Sequence, residues 1–326
     1  MADDDFDTLA ERLTMTEIVR LQDVLSRALV RRFEKRLALV FSDVVGSTPY
    51  FARFGDEAGR KLQQRHVDLV QQAIAPHGGR VVDTAGDGAF LCFASGTAAV
   101  HAMVNLQERV AADNDARAPE HRLNVRIGVH VGPALTDGVA VSGDAVNFAS
   151  RVSASANAGE IRLSTSAFAE LADIPLRMRS RRIRDVELKG LGRVEVYRLD
   201  WHDPARFPAL IRFEDGNELP LPSQDVVRFG RLREQDGVAA NDVVLTMSDP
   251  SATSRISRWH FELHLRSTGL TLKNVSNAET EVDGVAVERG HEVPVKPGTR
   301  VRVGGVMTLE LVSDSSAFGD NTFLPG

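Results

Sequence analysis

The sequence predicts an α+β chain in two parts: a mixed layer of strands and helices, followed by an all-β sandwich. Three observations carry this. Between residues 37 and 200, apolar runs of strand length alternate with stretches of helical spacing, in the order strand, helix, hairpin, helix, strand. Composition then changes at WHDPARFPAL (201–210), where two prolines and a loss of periodicity mark a linker. Beyond it, only short alternating runs separated by turn residues remain. The expected divisions are an N-terminal helix within 1–36, a first domain at 37–200, a linker at 201–208, a sandwich at 209–312 and a flexible tail at 313–326.

Taken in order, Thr14 and Glu17 have the spacing of a capping box, and Ile18, Leu21, Leu25 and Ala28 recur at helical spacing behind them. Arg31, Arg32, Lys35 and Arg36 suit the negative end of that helix. Its narrow apolar seam fits packing on its own domain and a short parallel pairing with a second copy equally well. LALVFSDVVGSTPYF (37–51) is an apolar run ending in Asp43 and a small-residue loop, as expected of a buried strand that delivers a carboxylate to its exposed end. A helix with Leu62, Leu69, Val70 and Ile74 on one face follows, stopped by Pro76 and Gly78–Gly79. VVDTAGDGAFLCF (81–93) reads as a hairpin with Asp87 in its turn. Val100, Met103, Val104 and Ala111 mark another helix, LNVRIGVHVG (123–132) a strand, and GDAVNFASRVSASA (143–156) a helix preceded by glycine. Strands in EIRLS, IRDVELKG and VEVYRLD complete a ferredoxin-like layer with its helices on one face. The second part supplies strands in ALIRF, DVVRFGR, DVVLT, HFELHL, LTLKNV, EVPV, RVRVG and VMTLELV.

Bulk properties exclude several function classes. A net charge of −6 gives no general attraction to nucleic acid or anionic membranes. The acidic start lacks the order of a signal peptide, and no apolar run is long enough to span a bilayer. The single cysteine, Cys92, excludes an intrachain disulfide and favours a reducing, cytoplasmic setting. The chemistry therefore rests on the two aspartates. Two strand-end carboxylates close in space repel unless a cation lies between them, and hard oxygen ligands suit Mg²⁺ or Mn²⁺. Two such ions would activate a hydroxyl and neutralise a triphosphate. On spacing alone, Asp43 serves equally as a cap for the next helix and Asp87 as a turn residue.

Further motifs decide between those readings. FSDVVGST, TAGDG, RIGVHVG, GDAVNFASR and VELKGLG occur in the order found in class III adenylate/guanylate cyclases, which the chain resembles over roughly residues 35–200. The resemblance implies Asp43, the Val44 main chain and Asp87 as ligands of two Mg²⁺ or Mn²⁺ ions per active site. It implies backbone donors at Val44, Gly46, Ser47 and Thr48, Asn147 orienting the ribose, and Arg151 stabilising the α-phosphate. Lys189, helped by Arg126, would meet the terminal phosphates. It also implies a homodimer in which Asp43 and Asp87 come from one chain and Asn147, Arg151 and Lys189 from the other.

The positions that read the base depart from the family: Asp83 stands where adenylate cyclases carry lysine, and Ala140 where they carry Asp or Thr. A carboxylate accepts from the N–H groups of guanine, so Asp83 leans toward GTP unless it points to solvent; the family leans toward ATP. The expected reaction is thus ATP or GTP to the 3′,5′-cyclic monophosphate and pyrophosphate.

VRFGRL, NDVVL, SRISRWH and VDG resemble the forkhead-associated (FHA) domain over roughly 209–312. That implies a phosphothreonine site with Arg231 and Arg258 on phosphate oxygens and Ser257 donating its hydroxyl, braced by Asn241 and His260. The partner would be a phosphorylated protein or a Ser/Thr kinase. The family's Asn-Gly-Thr run is here Ala278, Glu279 and Thr280, which removes one side-chain hydrogen bond and adds a charge. The rival readings are an inert sandwich with solvated arginines, and a phosphopeptide-binding scaffold whose cyclase domain has lost activity.

Overall fold

A computed structural model describes residues 11–84, 86–222, 224 and 226–313. The acidic start up to residue 10 and the expected tail beyond Ser313 lie outside the described residues. The chain divides into two compact units, one from residues up to Val110 and from Leu123–Asp200, the other from Ala111–Arg122 and from Trp201 onward.

In the first unit, helix α1 (Met15–Phe33) begins at the expected capping box: Thr14 Oγ1 accepts from the Glu17 N–H while the Glu17 carboxylate accepts from the Thr14 N–H at 2.8 Å. The helix ends three residues earlier than expected. Strand β1 (Glu34–Val44) already contains Lys35 and Arg36, because Glu34 onward pairs with the far half of strand β4 (Val125–Thr136). No residue of α1 is buried, and Ile18, Leu21, Leu25 and Leu29 all face outward. Its apolar seam is therefore not used for packing within its own domain.

Helix α2 (Ser47–Ile74) kinks at Gly55, where φ is +83°, a conformation open to glycine. Strands β2 (Arg80–Asp83) and β3 (Gly88–Phe93) form the expected hairpin. Helix α3 (Gly96–Asp115) follows; it buries Ala99, Met103, Leu106 and Val110, while the expected Val104 and Ala111 lie half-exposed beside that stripe. After β4 come the short strand β5 (Val141–Ser142), helix α4 (Asp144–Ala154), strand β6 (Ile161–Ser164), helices α5 (Thr165–Glu170) and α6 (Ile174–Met178), and strands β7 (Ser180–Leu188) and β8 (Gly192–Leu199). The sheet runs β2-β3-β1-β4-β6-β8-β7, with β5 on the edge of β4. All pairings are antiparallel except β4 with β6.

Alternation along β1 separates the two faces of this sheet. Ala38, Val40 and Ser42 point to the side covered by α2 and α3, as Ser42 meets His66 of α2 and Val131, opposite Ala38, lies against Gly96 of α3. Leu37, Leu39 and Phe41 point the other way and pack with Phe90, Cys92 and Ala134 against Ala145 and Ala149 of α4. The expectation of helices on one face thus holds for α2 and α3 and fails for α4. Small residues let α4 approach the opposite face: a Cβ at Gly128 would stand 2.1 Å from the Ser153 nitrogen.

In the second unit a separate ribbon pairs Glu234–Gln235 with Val238–Ala239, and two larger sheets enclose one core. One orders strands Glu218–Pro220, Leu210–Phe213, Met307–Val312, Arg300–Val303, Thr280–Val282 and Val285–Ala286; the other orders Val243–Val244, Val226–Gly230, Phe261–Arg266, Gly269–Asn274 and Glu292–Val295. Ile211, Val301 and Leu309 from the first meet Phe229, Phe261, Leu263 and Leu272 from the second, with Phe229 and Phe261 stacked at 4.4 Å. A short helix, Pro250–Arg255, breaks the expected all-strand pattern; Asp249 caps it and Pro250 occupies its first turn.

Candidate active site and phosphopeptide loops

Asp43 lies at the end of β1, opposite Gly88 of β3 on one side and Arg126 of β4 on the other. Asp87 immediately precedes Gly88, in the turn that leads into β3. Asp43 is not a helix cap. The cap of α2 is Gly46, in the left-handed region with no side-chain bond, and the Asp43 carboxylate instead receives Arg126: Nε donates to Oδ2 at 2.8 Å and Nη2 donates to the same oxygen. Arg126 Nη1 also reaches the carbonyl of Ala154 at the end of α4, at 3.5 Å. Asp87 accepts from the hydroxyl of Ser47, the first residue of α2. Val44 is buried and paired with Val125, whereas Gly46 and Thr48 are exposed at the mouth of the loop.

This donor set fits a hard divalent cation: two carboxylates, a serine hydroxyl and the main chain of Val44 would all offer oxygen. Among the described residues no group of three or more His, Cys, Asp or Glu could hold a metal ion. Two carboxylates leave most of an octahedral shell to water or phosphate oxygens, which is the habit of Mg²⁺. The Arg126 guanidinium balances Asp43 in the meantime.

Asn147 and Arg151 are one helical turn apart on α4, both exposed, and Lys189 is exposed in the turn between β7 and β8. None of the three side chains has a hydrogen bond or ion pair among the described residues. β7 is separated from β1 by four strand spacings, roughly 19 Å. One chain does not bring Lys189 to its own Asp43. Asp83 and Ala140 are occupied locally: the Asp83 carboxylate accepts from the Thr84 N–H at 2.8 Å, and Ala140 donates its N–H to Asp137 at 2.9 Å. The Phe41 and Phe90 rings stack at 4.6 Å on the same face as Asp43, and Phe90 is the register partner of Asp83.

Two residues near this site escaped the sequence reading. Arg80 donates to the carbonyl of Val139 at 2.7 Å, tying β2 to the tip before β5. His66 is buried with Nε2 2.8 Å from Ser42 Oγ, and burial pushes the ring down to about 4. Its signal was periodicity: it completes the buried stripe of Leu62 and Val70 at four-residue steps, where the expected Leu69 is half-buried. His130 of β4 is likewise pushed down to about 4, first by burial and then by Arg36.

In the second unit, main-chain bonds join the loops that carry the expected phosphate ligands. The Arg231 N–H donates to the Ser257 carbonyl at 3.0 Å and the Leu232 N–H to Arg258 at 3.3 Å. Asn241 Nδ2 donates to the carbonyls of Leu232 and Arg258, and His260 Nδ1 accepts from the Ser257 N–H at 3.1 Å. Arg231 and Arg258 are exposed, the latter over the Trp259 ring at 5.5 Å. Glu279 folds over Gly305, where its carboxylate and the Arg255 guanidinium both lie within 2.9 Å of the point a Cβ would occupy. Ala278 is held by Ser276, whose hydroxyl accepts from its N–H at 3.1 Å.

Comparison with known proteins agrees with both units. The family model "Adenylate and Guanylate cyclase catalytic domain" matches residues 30–200, and that of the FHA domain matches residues 227–304. The chain is similar to a putative adenylate cyclase 3 of Rhizobium meliloti, 28% identical over 240 residues that make up 69% of this chain and 40% of that protein. It is also similar to an adenylate cyclase of Streptomyces coelicolor, 34% identical over 138 residues, 42% of this chain and 34% of that protein. It therefore spans less than half the length of these curated relatives. Among solved structures, an adenylate/guanylate cyclase/hydrolase from Silicibacter pomeroyi aligns at 22% identity and a TM-score of 0.46, over 51% of this chain and 96% of that one.

Proposed function

The chain belongs to the adenylate and guanylate cyclase catalytic domain family, and from that premise we propose that it converts ATP, or GTP, into the 3′,5′-cyclic monophosphate and pyrophosphate at sites shared by two copies. The observation that carries this is the placement of Asp43 opposite Gly88, the chain neighbour of Asp87, with Arg126 on Asp43 and the first residue of α2 on Asp87. In the reaction the ribose 3′-hydroxyl attacks the α-phosphorus, its proton is lost, and the bond to pyrophosphate breaks. Two Mg²⁺ or Mn²⁺ ions held by Asp43, Asp87 and the Val44 main chain would supply neutralisation of the triphosphate and a more acidic hydroxyl. Arg126 turns from Asp43 to the phosphates as that charge is taken over. The N–H groups of Gly46, Ser47 and Thr48 at the start of α2 donate to phosphate oxygens. From the second copy, Asn147 orients the ribose, Arg151 stabilises the charge growing on the α-phosphate, and Lys189 meets the terminal phosphates. The exposure of all three and the distance of Lys189 from Asp43 support this division. The uncovered seam of α1 supports pairing of two copies, since Ile18, Leu21 and Leu25 lack partners within their own domain.

For the base, ATP stands first by family and GTP second. Asp83, once released from the Thr84 N–H, would accept from guanine. Purified protein incubated separately with ATP and GTP in Mn²⁺, with products identified by mass, tests the reading. A cyclic monophosphate from either one supports it; no product from both favours the phosphopeptide-binding scaffold.

The FHA unit would couple the enzyme to a protein phosphorylated on threonine, with Arg231, Arg258 and Ser257 on the phosphate. The position of Glu279 beside Arg255 supports retained binding, because its charge is drawn toward a cation instead of standing free by the phosphate. A phosphothreonine peptide should bind, measured by fluorescence anisotropy, and Arg231→Ala should lose at least tenfold in affinity. Equal binding of phosphorylated and plain peptide would rule the coupling out.

A further inference from the structure

His66 stands in the middle of α2 with 0% of its surface exposed, between Leu62 and Val70 on the buried stripe. Packing alone does not call for an imidazole there. A leucine or phenylalanine would bury more apolar surface and leave no polar atoms to satisfy. The ring instead faces the two backbones that carry the metal carboxylates. On one side, Nε2 is 2.8 Å from the hydroxyl of Ser42, itself 0% exposed. Ser42 precedes Asp43, and successive side chains of a strand point to opposite faces, so the serine enters the core while the aspartate faces the site. Holding the serine hydroxyl therefore fixes the roll of β1 where the carboxylate leaves it. On the other side the ring lies against the main chain of Asp87, yet Nδ1 completes no hydrogen bond of ordinary geometry. A neutral ring has one N–H and one lone pair. With the Ser42 hydroxyl donating to Nε2, the N–H falls on Nδ1, on the side free to serve Asp87.

We infer that His66 is a positioning residue that sets the separation of Asp43 and Asp87, its Nδ1–H closing onto the Asp87 main chain when the two carboxylates share a cation. The inference rests on the reading of those aspartates as metal ligands. It explains why a buried donor is left short of a partner: catalytic hydrogen bonds often stay loose until the site is filled. It also explains why the polar pair sits at Ser42 and not deeper in β1, where it would act on no ligand.

The test is the affinity of the full-length protein for Mn²⁺ alone, read from the electron paramagnetic resonance signal of the free ion, beside the thermal midpoint of each variant. Loss of a group that orients a metal ligand typically weakens binding by about tenfold or more. His66→Phe, which keeps an aromatic ring and removes both nitrogens, should weaken Mn²⁺ binding about tenfold. Ser42→Ala, which removes one hydroxyl and leaves the packing in place, should weaken it roughly threefold while melting close to wild type. Asp43→Asn should bind no Mn²⁺ at this site. If Asp43→Asn loses the ion while both other variants bind as wild type, His66 only packs and the inference is overturned. If His66→Phe does not fold, the Ser42→Ala affinity decides alone. Asp43→Asn binding as tightly as wild type would instead overturn the metal reading itself.

Discussion

In the proposed reaction Arg126 would serve two states of the site, one of them the pairing with Asp43 that the structure shows. Both its Nε and Nη2 reach a single oxygen of Asp43, a charge-assisted pairing set by their facing positions on β1 and β4. Because about a third of the Arg126 side chain and a quarter of the Asp43 side chain are exposed, solvent screens the pair, and it contributes little to folding, less than about 1 kcal/mol. On the proposed function its weight would lie in the reaction. Arg126→Gln should leave the melting temperature near wild type, raise the KM for nucleotide and lower kcat/KM roughly ten- to hundredfold, on the order of 1.4–2.7 kcal/mol. Arg126→Lys should fall between them, since the charge remains and the fork is lost. Initial rates against nucleotide concentration check both; an unchanged kcat/KM in Arg126→Gln would exclude the arginine from phosphate binding.

Helix α4 is the element that would carry the second half of the proposed site, and its seat is narrow. Ala145 and Ala149 bring it close to β1 and β4, and Gly128 leaves no room for a methyl group beneath the Ser153 main chain. A Cβ at position 128 must push α4 outward, carrying Asn147 and Arg151 with it. Gly128→Ala should cost about 1–3 kcal/mol of stability by overpacking and lower kcat more than nucleotide KM. Urea unfolding and steady-state kinetics measure the two effects, and wild-type values in both would show that the helix has slack. The periodicity of α4 was plain in the sequence. Its face was not, because the small residues that admit it to the open side of the sheet carry no hydrophobic signal.

Across the whole molecule, the proposed division of residues between copies predicts an outcome that no single chain can imitate. Asp43→Ala and Arg151→Ala should each be nearly inactive. Equal amounts mixed under conditions of subunit exchange should recover about a quarter of wild-type activity, since half the dimers are mixed and each has one intact site. A mixture that stays inactive, with both variants folded and dimeric by light scattering, would exclude shared sites. Three observations within one chain lead to this: β7 stands four strands from β1, Asn147, Arg151 and Lys189 are left exposed, and α1 has an uncovered apolar seam.

The sequence by itself determined the order of elements, the capping box at Thr14, the hairpin at Asp87 and the two-part division, because each depends on local chemistry or on periodicity within a single stretch. Motif order also determined the family. Only the tertiary structure decided that Lys35 and Arg36 belong to β1, since strand pairing with β4 overrides the pull of a helix end. It also decided that α4 covers the face opposite α2, that Arg126 holds Asp43, and that Asp83 turns onto its own loop. His66 belongs with these. A histidine in a helical stripe is legible as a buried residue, but its bond to Ser42 joins positions 24 residues apart, and that separation closes only when α2 packs beneath β1.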